Sequence, residues 1–441
     1  MSPGRQRLAV VGAGWAGLAA AVAATRAGLA VTVFEATRQL GGRARSLEVD
    51  LPGGERATLD NGQHILIGAY RDTLALMREV GVQLEQVLHR LPLTLQRPDG
   101  QGLSLPAWPA PLDAAWGILR ARGWTTGDKL SLLSHATRWR LRGFQCPADW
   151  TVLRLCQGLS PRVLRDLVEP LCVAALNLPA ARADARVFLR VVRDGLFGPP
   201  QQGWGASNLL IPCADLGQVF PDAAGRWLAQ AGAELRLGAR VQSLRAQDGR
   251  WQVDGEPFDA VVLACPGWEA RRLVATSGVP AADWLTAAQG LGHEPIATVY
   301  ATGGPRLPLP MLALETRVDQ PAQFVFDRSQ LGGPAGVLAF VVSASEADAR
   351  EVERQVLAQA LALGWPVRPL KTVVEKRATF ACVPALRRPG MAIAPGLLAC
   401  GDYVDGPYPA TLEGAVRSAL EAIAALDAGL RPAGRTAATA C

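Results

Sequence analysis

The chain has 441 residues, 49% of them hydrophobic and 19% charged, with 46 glycines and 32 prolines. This composition excludes a disordered chain, and the length predicts two domains rather than one small core. The net charge of +6 rests on scattered arginines, which excludes a nucleic-acid binder with a concentrated basic patch and leaves a mild pull toward anionic membrane, or simply a basic exterior.

Cys146, Cys156, Cys172, Cys213, Cys265, Cys382, Cys400 and Cys441 are scattered without a C-x-x-C pair. No metal site or disulfide framework is expected, and the cysteines read as small core residues in a reducing compartment. At the N-terminus, Arg5 and Arg7 precede the apolar run "LAVVGAGWAGLAAAVAAT". A signal peptide begins this way, but regular glycines and a second apolar strand favour a folded nucleotide-binding unit. No other run is long and apolar enough to span a bilayer, so a cytoplasmic protein is expected, with any membrane contact peripheral.

Residues 8–11 predict a buried parallel strand, the following Ala-rich stretch a helix to about Ala27, and "AVTVFE" a second strand. Between strand and helix, Gly12, Gly14 and Gly17 fill the G-x-G-x-x-G pattern. Gly12 permits the tight turn, Gly14 lets backbone approach a pyrophosphate, and Gly17 lets the helix pack close to the strand. Ala13, Trp15 and Ala16 lie in that turn, whose helix N-terminus offers N–H groups to phosphates. Glu35, followed by Ala36, closes the second strand where a carboxylate accepts ribose hydroxyls, which disfavours NADP and leaves NAD or FAD. "QLGGRARS" then sets Gly41 and Gly42 ahead of Arg43, Ala44 and Arg45. Backbone there could wrap a cofactor while a guanidinium meets its phosphates; an ordinary Gly-Gly turn with solvated arginines is the competing reading.

"LDNGQHILIGAY", Leu59–Tyr70, crowds Asp60, Asn61, Gln63 and His64 around Gly62. Taken alone it is a turn signal. Farther on, "RDTLALMREVG" predicts an amphipathic helix. Residues 104–150 hold five of the twelve tryptophans (Trp108, Trp116, Trp124, Trp139 and Trp150), interleaved with Arg120, Arg122, Lys129, Arg138, Arg140 and Arg142. Tryptophan with arginine suits a membrane interface, and buried helices with solvated arginines would look the same. Residues 233–267 alternate as β-structure with a turn at "QDG", and Cys265 there reads as packing rather than as a nucleophile. Between 291 and 387, "PIATVYAT" and "GVLAFVVSA" predict strands and "DAREVERQVLAQAL" a helix. Near the C-terminus, "GLLACGDYVDGPYPATLEGAVRSALEAI" predicts a short strand ending at Gly401-Asp402, then a helix capped by Thr411 with Glu413 in its first turn.

The "GGR" directly after a βαβ unit resembles the amine-oxidase and phytoene-desaturase superfamily of flavoproteins, and the 396–423 segment resembles its closing motif. The fold implied is α/β: a discontinuous Rossmann-type FAD-binding domain with an α+β substrate domain inserted. The FAD domain would take 1–66, 214–290 and 388–441, and the substrate domain 67–213 and 291–387, with 429–441 a disordered tail. Besides the first motif, the resemblance implies FAD contacts from Gly62, Gln63, His64, Val241, Gly401, Asp402, Thr411, Leu412, Glu413, Gly414 and Ala415. Gly62 would be a close-approach glycine, and Gly414 and Ala415 would leave room for the flavin ring.

"LDNGQHILIGAYRDTL", "EPLCVAALNLP", "GHEPIATVY" and "EKRATFACVPALRRPG", in that order, resemble the hydroxysqualene dehydroxylases, also called squalene-associated FAD-dependent desaturases. His293 departs from the aromatic residue expected before "EPI". The resemblance implies removal of the hydroxyl of hydroxysqualene: the hydroxyl is protonated, water leaves an allylic cation, and reduced flavin supplies hydride. His64, oriented by Asp60, is one candidate proton donor, and Glu169 and Glu413 are others; alternatively His64 only holds its loop. A carotenoid-type desaturase would share the fold. An amine oxidase would need an aromatic cage that only "DYVDGPYP" could furnish. A non-catalytic escort protein, of the kind represented by the GDP-dissociation inhibitors, need not keep both cofactor ends, which this chain does.

Overall fold

The computed structural model describes residues 5–200 and 203–430, so the tail expected over 429–441 lies outside the described residues from 431 onward. Packing divides the chain into two units, 1–42, 221–290 and 388–441 in one, 43–220 and 291–387 in the other. Residues 43–66 and 214–220, expected in the cofactor domain, thus belong to the second unit. The cause is local bonding: strands Ser46–Asp50 and Arg56–Asp60 pair with each other, and Asp60 is bonded to Leu216 and Tyr300.

The first unit is built on a six-stranded sheet. Its order is Glu234–Leu237, Ala30–Glu35, Arg7–Val11, Ala260–Leu263, Leu397–Ala399, Ala392–Ala394, and only the last strand runs antiparallel. Val10 lies between Val33 and Val262, and these apolar runs are buried on both faces, as parallel strands require. The helix Trp15–Arg26 is buried from Trp15 to Ala24. Its alanines let it lie between the sheet and the helices Pro221–Gln230 and Leu412–Leu430. The "QDG" turn joins Leu244–Gln247 to Arg250–Val253, with Asp248 and Gly249 both at positive φ.

The second unit contains a five-stranded antiparallel sheet, in the order Met311–Ala313, Phe324–Asp327, Leu338–Ser343, His293–Thr302, Arg368–Phe380. Strand His293–Thr302 divides its residues by the two-residue period of a pleated strand. Ala297, Val299 and Ala301 enter a core shared with Val352, Val356 and Ala360 of the helix Ala349–Ala362. Thr298 and Tyr300, also buried, take the other face. Residues 67–213 carry the expected helices, among them Arg71–Glu79, Leu112–Arg120, Thr126–Leu141 and Ala185–Phe197. They also carry unexpected short strands, such as Leu88–Leu91 and Leu209–Pro212, which pair with each other.

Two glycines of the first turn differ in what they tolerate. A Cβ on Gly17 would lie 1.8 Å from the Gly12 carbonyl oxygen, whereas one on Gly14 meets nothing nearer than 3.8 Å. Gly17→Ala is therefore expected to yield little folded protein. Gly14→Ala should keep the thermal midpoint of the wild-type apoprotein and lose bound flavin. Circular dichroism melts and visible absorbance read the two, and an unshifted midpoint for Gly17→Ala would refute the close packing.

Candidate functional site

In the first unit the helix Trp15–Arg26 begins at Gly14 with no side-chain cap and no acidic residue in its first turn. Its positive end is left to the Gly12–Gly14 turn. Gly14 bridges Gly41, and a Cβ on Gly42 would lie 3.1 Å from the Gly14 Cα, so side chains would fill the seam between the two loops. Glu35, 7% exposed, accepts from the Ala13 N–H at 2.8 Å and from the Thr37 N–H and hydroxyl at 2.8 and 2.9 Å. That leaves part of its acceptor capacity unused, since a carboxylate offers about four lone-pair sites. A backbone cradle, a positive helix end and a carboxylate at the strand tip fit the adenosine diphosphate portion of a dinucleotide. Ala36 follows on the surface. Val241 is buried, but in the irregular stretch between Glu234–Leu237 and Leu244–Gln247 rather than on the strand expected. Its carbonyl accepts from Arg272 Nη2 at 2.7 Å.

The closing motif folds over its own helix. The Ala410 N–H donates to the Asp402 carbonyl at 3.0 Å, and the Gly401 N–H donates to the Ser418 hydroxyl at 2.8 Å. The Thr411 hydroxyl accepts from the Gly414 N–H at 2.9 Å, which caps the helix that starts at Leu412. Glu413 and Ala415 are buried in its first turns. A Cβ on Gly414 would lie 1.9 Å from the Tyr408 carbonyl oxygen. Internal packing therefore already requires glycine there.

The second unit holds the polar knot, fed by three elements. Strand Arg56–Asp60 ends on Asp60, strand His293–Thr302 contributes Thr298 and Tyr300, and Arg328 follows the end of strand Phe324–Asp327. The Tyr300 hydroxyl donates to the Asp60 carbonyl at 2.7 Å and accepts from Gln63 Nε2 at 2.8 Å. Arg328 Nη1 donates to Gln63 Oε1 at 3.2 Å, and its Nη2 lies 3.9 Å from Asp60 Oδ2. Asp60 Oδ1 accepts from the Leu216 N–H at 2.8 Å. Asp60, Tyr300 and Arg328 are all buried. Asn61 pins the arginine segment, donating to the Arg43 carbonyl at 2.6 Å and accepting from the Arg45 N–H at 3.1 Å. Arg43 Nη1 donates to the Ala378 carbonyl at 2.6 Å, and Ala44 is buried beside it in sequence.

This geometry corrects the expected role of Asp60: its carboxylate serves Leu216 and Arg328, and His64 is not among its partners. Burial raises the Asp60 carboxyl to about 6, partly offset by the Leu216 N–H and by Arg328, so it is mostly ionised at neutral pH. Burial, with the Arg43 charge, lowers His64 to about 4 against a backbone hydrogen bond to Arg43. The imidazole is therefore neutral at pH 7, with one nitrogen engaged to the Arg43 backbone. Gly62 is not made necessary by a turn. Its φ is not positive, and a Cβ there would meet only His64 Nε2 at 3.8 Å and Thr298 Oγ1 at 4.0 Å. Nothing within the second unit requires glycine at 62. The Thr298 hydroxyl, buried beside it, has no protein partner.

Glu169 Oε2 accepts from the Ala180 N–H at 3.0 Å, and so fastens its own helix end. Three of the four segments that carry the family resemblance meet at Asn177, whose φ is +50° at the end of helix Glu169–Leu176. Its Nδ2 lies 3.4 Å from the Glu294 and Pro295 carbonyls and 3.0 Å from Thr379 Oγ1, and its Oδ1 accepts from the Ala344 N–H at 3.1 Å. Arg182 pairs with Glu294 at 2.6 Å. Cys265 is buried, and that burial pushes its thiol to about 12, leaving a protonated packing residue. Sequence reading missed Tyr300, Arg328, Thr298 and Asn177. The alternation of "PIATVYAT" was the available signal for the first and third.

The chain matches the family model of flavin containing amine oxidoreductases over residues 15–426. It is 30% identical to a hydroxysqualene dehydroxylase of Rhodopseudomonas palustris over 93% of this chain and 95% of that one. It is 27% identical to one of Sinorhizobium fredii over the same shares of each chain. Among solved structures, cyclohexylamine oxidase from Brevibacterium oxydans superposes with a TM-score of 0.68 at 16% identity, covering 97% of this chain and 99% of that one. This last likeness shows the fold.

Two substitutions test the knot. Arg328→Met leaves a buried carboxylate without its partner and is expected to cost about 3–5 kcal/mol in urea unfolding. Much of that loss should return in the double variant with Asp60→Asn; a loss below about 1 kcal/mol would show that the pair is not needed. Gly62→Ala should leave the unfolding midpoint of the apoprotein unchanged while weakening flavin retention during dialysis. A lowered midpoint would mean that chain packing, not a ligand, requires the glycine.

Proposed function

Because the chain belongs to the flavin-containing amine oxidoreductase family, as an FAD-dependent oxidoreductase akin to the hydroxysqualene dehydroxylases, we propose that it reductively removes the hydroxyl of hydroxysqualene to give squalene. The observation that carries this reading is the convergence at Asn177 and Tyr300. The four segments resembling that family, spread through the sequence from Leu59, are bonded to one another by the parts that lie in the second unit. Chance likeness of isolated segments would not require them to meet.

When bound and reduced, FAD supplies hydride to the carbon that the hydroxyl leaves. The chain's own part is to bind, orient and keep water out. Gly12, Ala13, Gly14, Trp15, Ala16 and Gly17, with Gly42, Arg43, Ala44 and Arg45, would hold the pyrophosphate, and Glu35 and Ala36 the ribose, with Val241 on the adenine side. Gly401, Asp402 and the helix start from Thr411 to Ala415 would hold the flavin end. By the resemblance, Gly62, Gln63 and His64 complete the set. A long isoprenoid alcohol partitions into bilayers, so a peripheral position on the cytoplasmic face of a membrane, reached through 104–150, belongs to the same proposal.

For His64 the neutral imidazole supports the holding role over that of proton donor. Burial lowers its pKa to about 4, and a backbone hydrogen bond joins the ring to Arg43. Tyr300, Gln63 and Arg328 position the loop behind it.

Anaerobic mixing of the reduced protein with hydroxysqualene is expected to reoxidise the flavin and form squalene. Desaturation of phytoene without squalene formation would replace this reading with a carotenoid-type one, and protein purified without a flavin spectrum would point to an escort role. His64→Ala should release part of the flavin yet keep squalene formation per bound flavin within about tenfold. A loss beyond about a hundredfold, the scale of a general acid, would restore His64 as the proton donor.

A further inference from the structure

The helix Leu112–Arg120 is amphipathic in the wrong sense for a folded domain. Its buried positions are Asp113 and Gly117, four residues apart. Asp113 Oδ2 accepts from the Ser207 hydroxyl at 3.0 Å, and a Cβ on Gly117 would lie 2.9 Å from the Leu105 side chain. Its outward stripe is Leu112, Trp116 and Leu119, at spacings of four and three, exposed by 62%, 37% and 60%. The next helix, Thr126–Leu141, buries Leu132, His135 and Trp139 and turns Leu130, Leu133 and Leu141 to solvent. Among the described residues, seven of the twelve exposed large apolar side chains lie between Trp108 and Leu141. A monomer does not expose such a concentration without a partner.

Charge selects the partner. Residues 104–142 carry six basic side chains and two acidic ones. Both acids are used locally, Asp113 on Ser207 and Asp128 on Thr125 and Ser160. Arg120, Arg122, Arg138, Arg140 and Arg142 are exposed, and the Arg120 guanidinium lies 4.9 Å from the Trp116 ring centroid. Lys129 Nζ donates to the Leu119 carbonyl at 2.7 Å and so ties the second helix to the end of the first. Apolar side chains flanked by arginine are what an anionic bilayer surface accepts: the former enter the acyl boundary and the latter remain among lipid phosphates. Among the described residues no helix is long and apolar enough to cross a membrane.

We propose that the helices Leu112–Arg120 and Thr126–Leu141 dock this protein on an anionic lipid surface, with Leu112, Trp116 and Leu119 inserted. This deepens the peripheral reading and does not depend on the reaction. It also corrects the expected docking residues, since Trp124 and Trp139 are buried and Trp139 packs edge-on against Phe188 at 6.4 Å.

The test is co-sedimentation of the flavin-loaded protein with phosphatidylcholine vesicles, with and without phosphatidylglycerol. The variants are Leu112→Ser/Trp116→Ser/Leu119→Ser, and Arg120→Gln/Arg138→Gln/Arg140→Gln. All six side chains are exposed, so melting points should be unchanged. Wild-type protein is expected to bind the phosphatidylglycerol vesicles, less so at high salt. The apolar variant should lose at least about tenfold in binding, and the arginine variant should lose its preference for the anionic lipid. Wild-type-like binding by the folded apolar variant overturns the proposal. So does a lipid-indifferent protein whose self-association the apolar variant abolishes, which would assign the face to a second copy. Turnover of detergent-solubilised hydroxysqualene, measured on the same variants, keeps a failure of docking distinct from a failure of the proposed reaction.

Discussion

The second unit depends on one buried charge pair. Asp60 and Arg328 lie 268 residues apart in sequence, and both are buried. An isolated ion in such a place costs several kcal/mol, so each charge obliges the chain to supply partners. Asp60 takes the Leu216 N–H and Arg328 takes Gln63, while Tyr300 closes the set through the Asp60 backbone and Gln63. One charge on a strand end thereby fixes the entry of the helix at Leu216, the exit of the strand at Asp327 and the path of the loop through Gln63. Such networks contribute less to net stability than to selecting a single arrangement, and here the arrangement selected is that of the Asn61–His64 loop. Desolvation raises the carboxyl of Asp60 while Arg328 and the Leu216 N–H lower it, so the pair stays ionised at neutral pH with little to spare.

The first unit solves a different problem, how to bring backbone close to backbone. Gly17 against Gly12 and Gly414 against Tyr408 leave no room for a side chain, so the two helices that start at Trp15 and Leu412 pack as tightly as their strands allow. Gly14 and Gly62 are glycines of another sort. The space beside them is not filled by the chain's own atoms at clash distance. In a protein whose interior is packed like a crystal, glycine without an internal cause points to something outside the chain. Gly14 had that reading from its motif. Gly62 had it only from the family resemblance, because an Asn-Gly pair alone is explained equally well by a turn, and its non-positive φ removes the turn as a cause.

What was legible in sequence follows from distance along the chain. The strand, turn, helix and strand from Arg7 to Glu35 lie within one local pattern, and every expected element is present there. The cap at Thr411 was likewise readable, since it depends on its own next three residues. The partners of Asp60 were not. Tyr300 and Arg328 lie more than two hundred residues away, and no local period announces them. His64 was paired with Asp60 because they are four residues apart; the loop turns them to different neighbours, Arg43 for one and Arg328 for the other. In the tryptophan-rich region, composition did not tell the exposed tryptophans from the buried Trp124 and Trp139. A count of tryptophans carries no face, and only the three-and-four spacing of Leu112, Trp116 and Leu119 separates outside from inside.

The boundary between the two units shows why family likeness and domain anatomy need not coincide. The cofactor motif reads continuously from Gly12 to Arg45, so the sequence assigns all of it to one domain. Packing cuts it after Gly42. Arg43 is held by Asn61 and reaches Ala378, and Arg45 is held by Asn61 as well. A motif is defined by the ligand it serves, and a packing unit by the contacts its own side chains make. Where the two definitions divide one short stretch, a shared motif does not imply a shared core. In this chain the stretch in question is Gly41 to Arg45, with glycines on one side that need close backbone approach and arginines on the other that need charge.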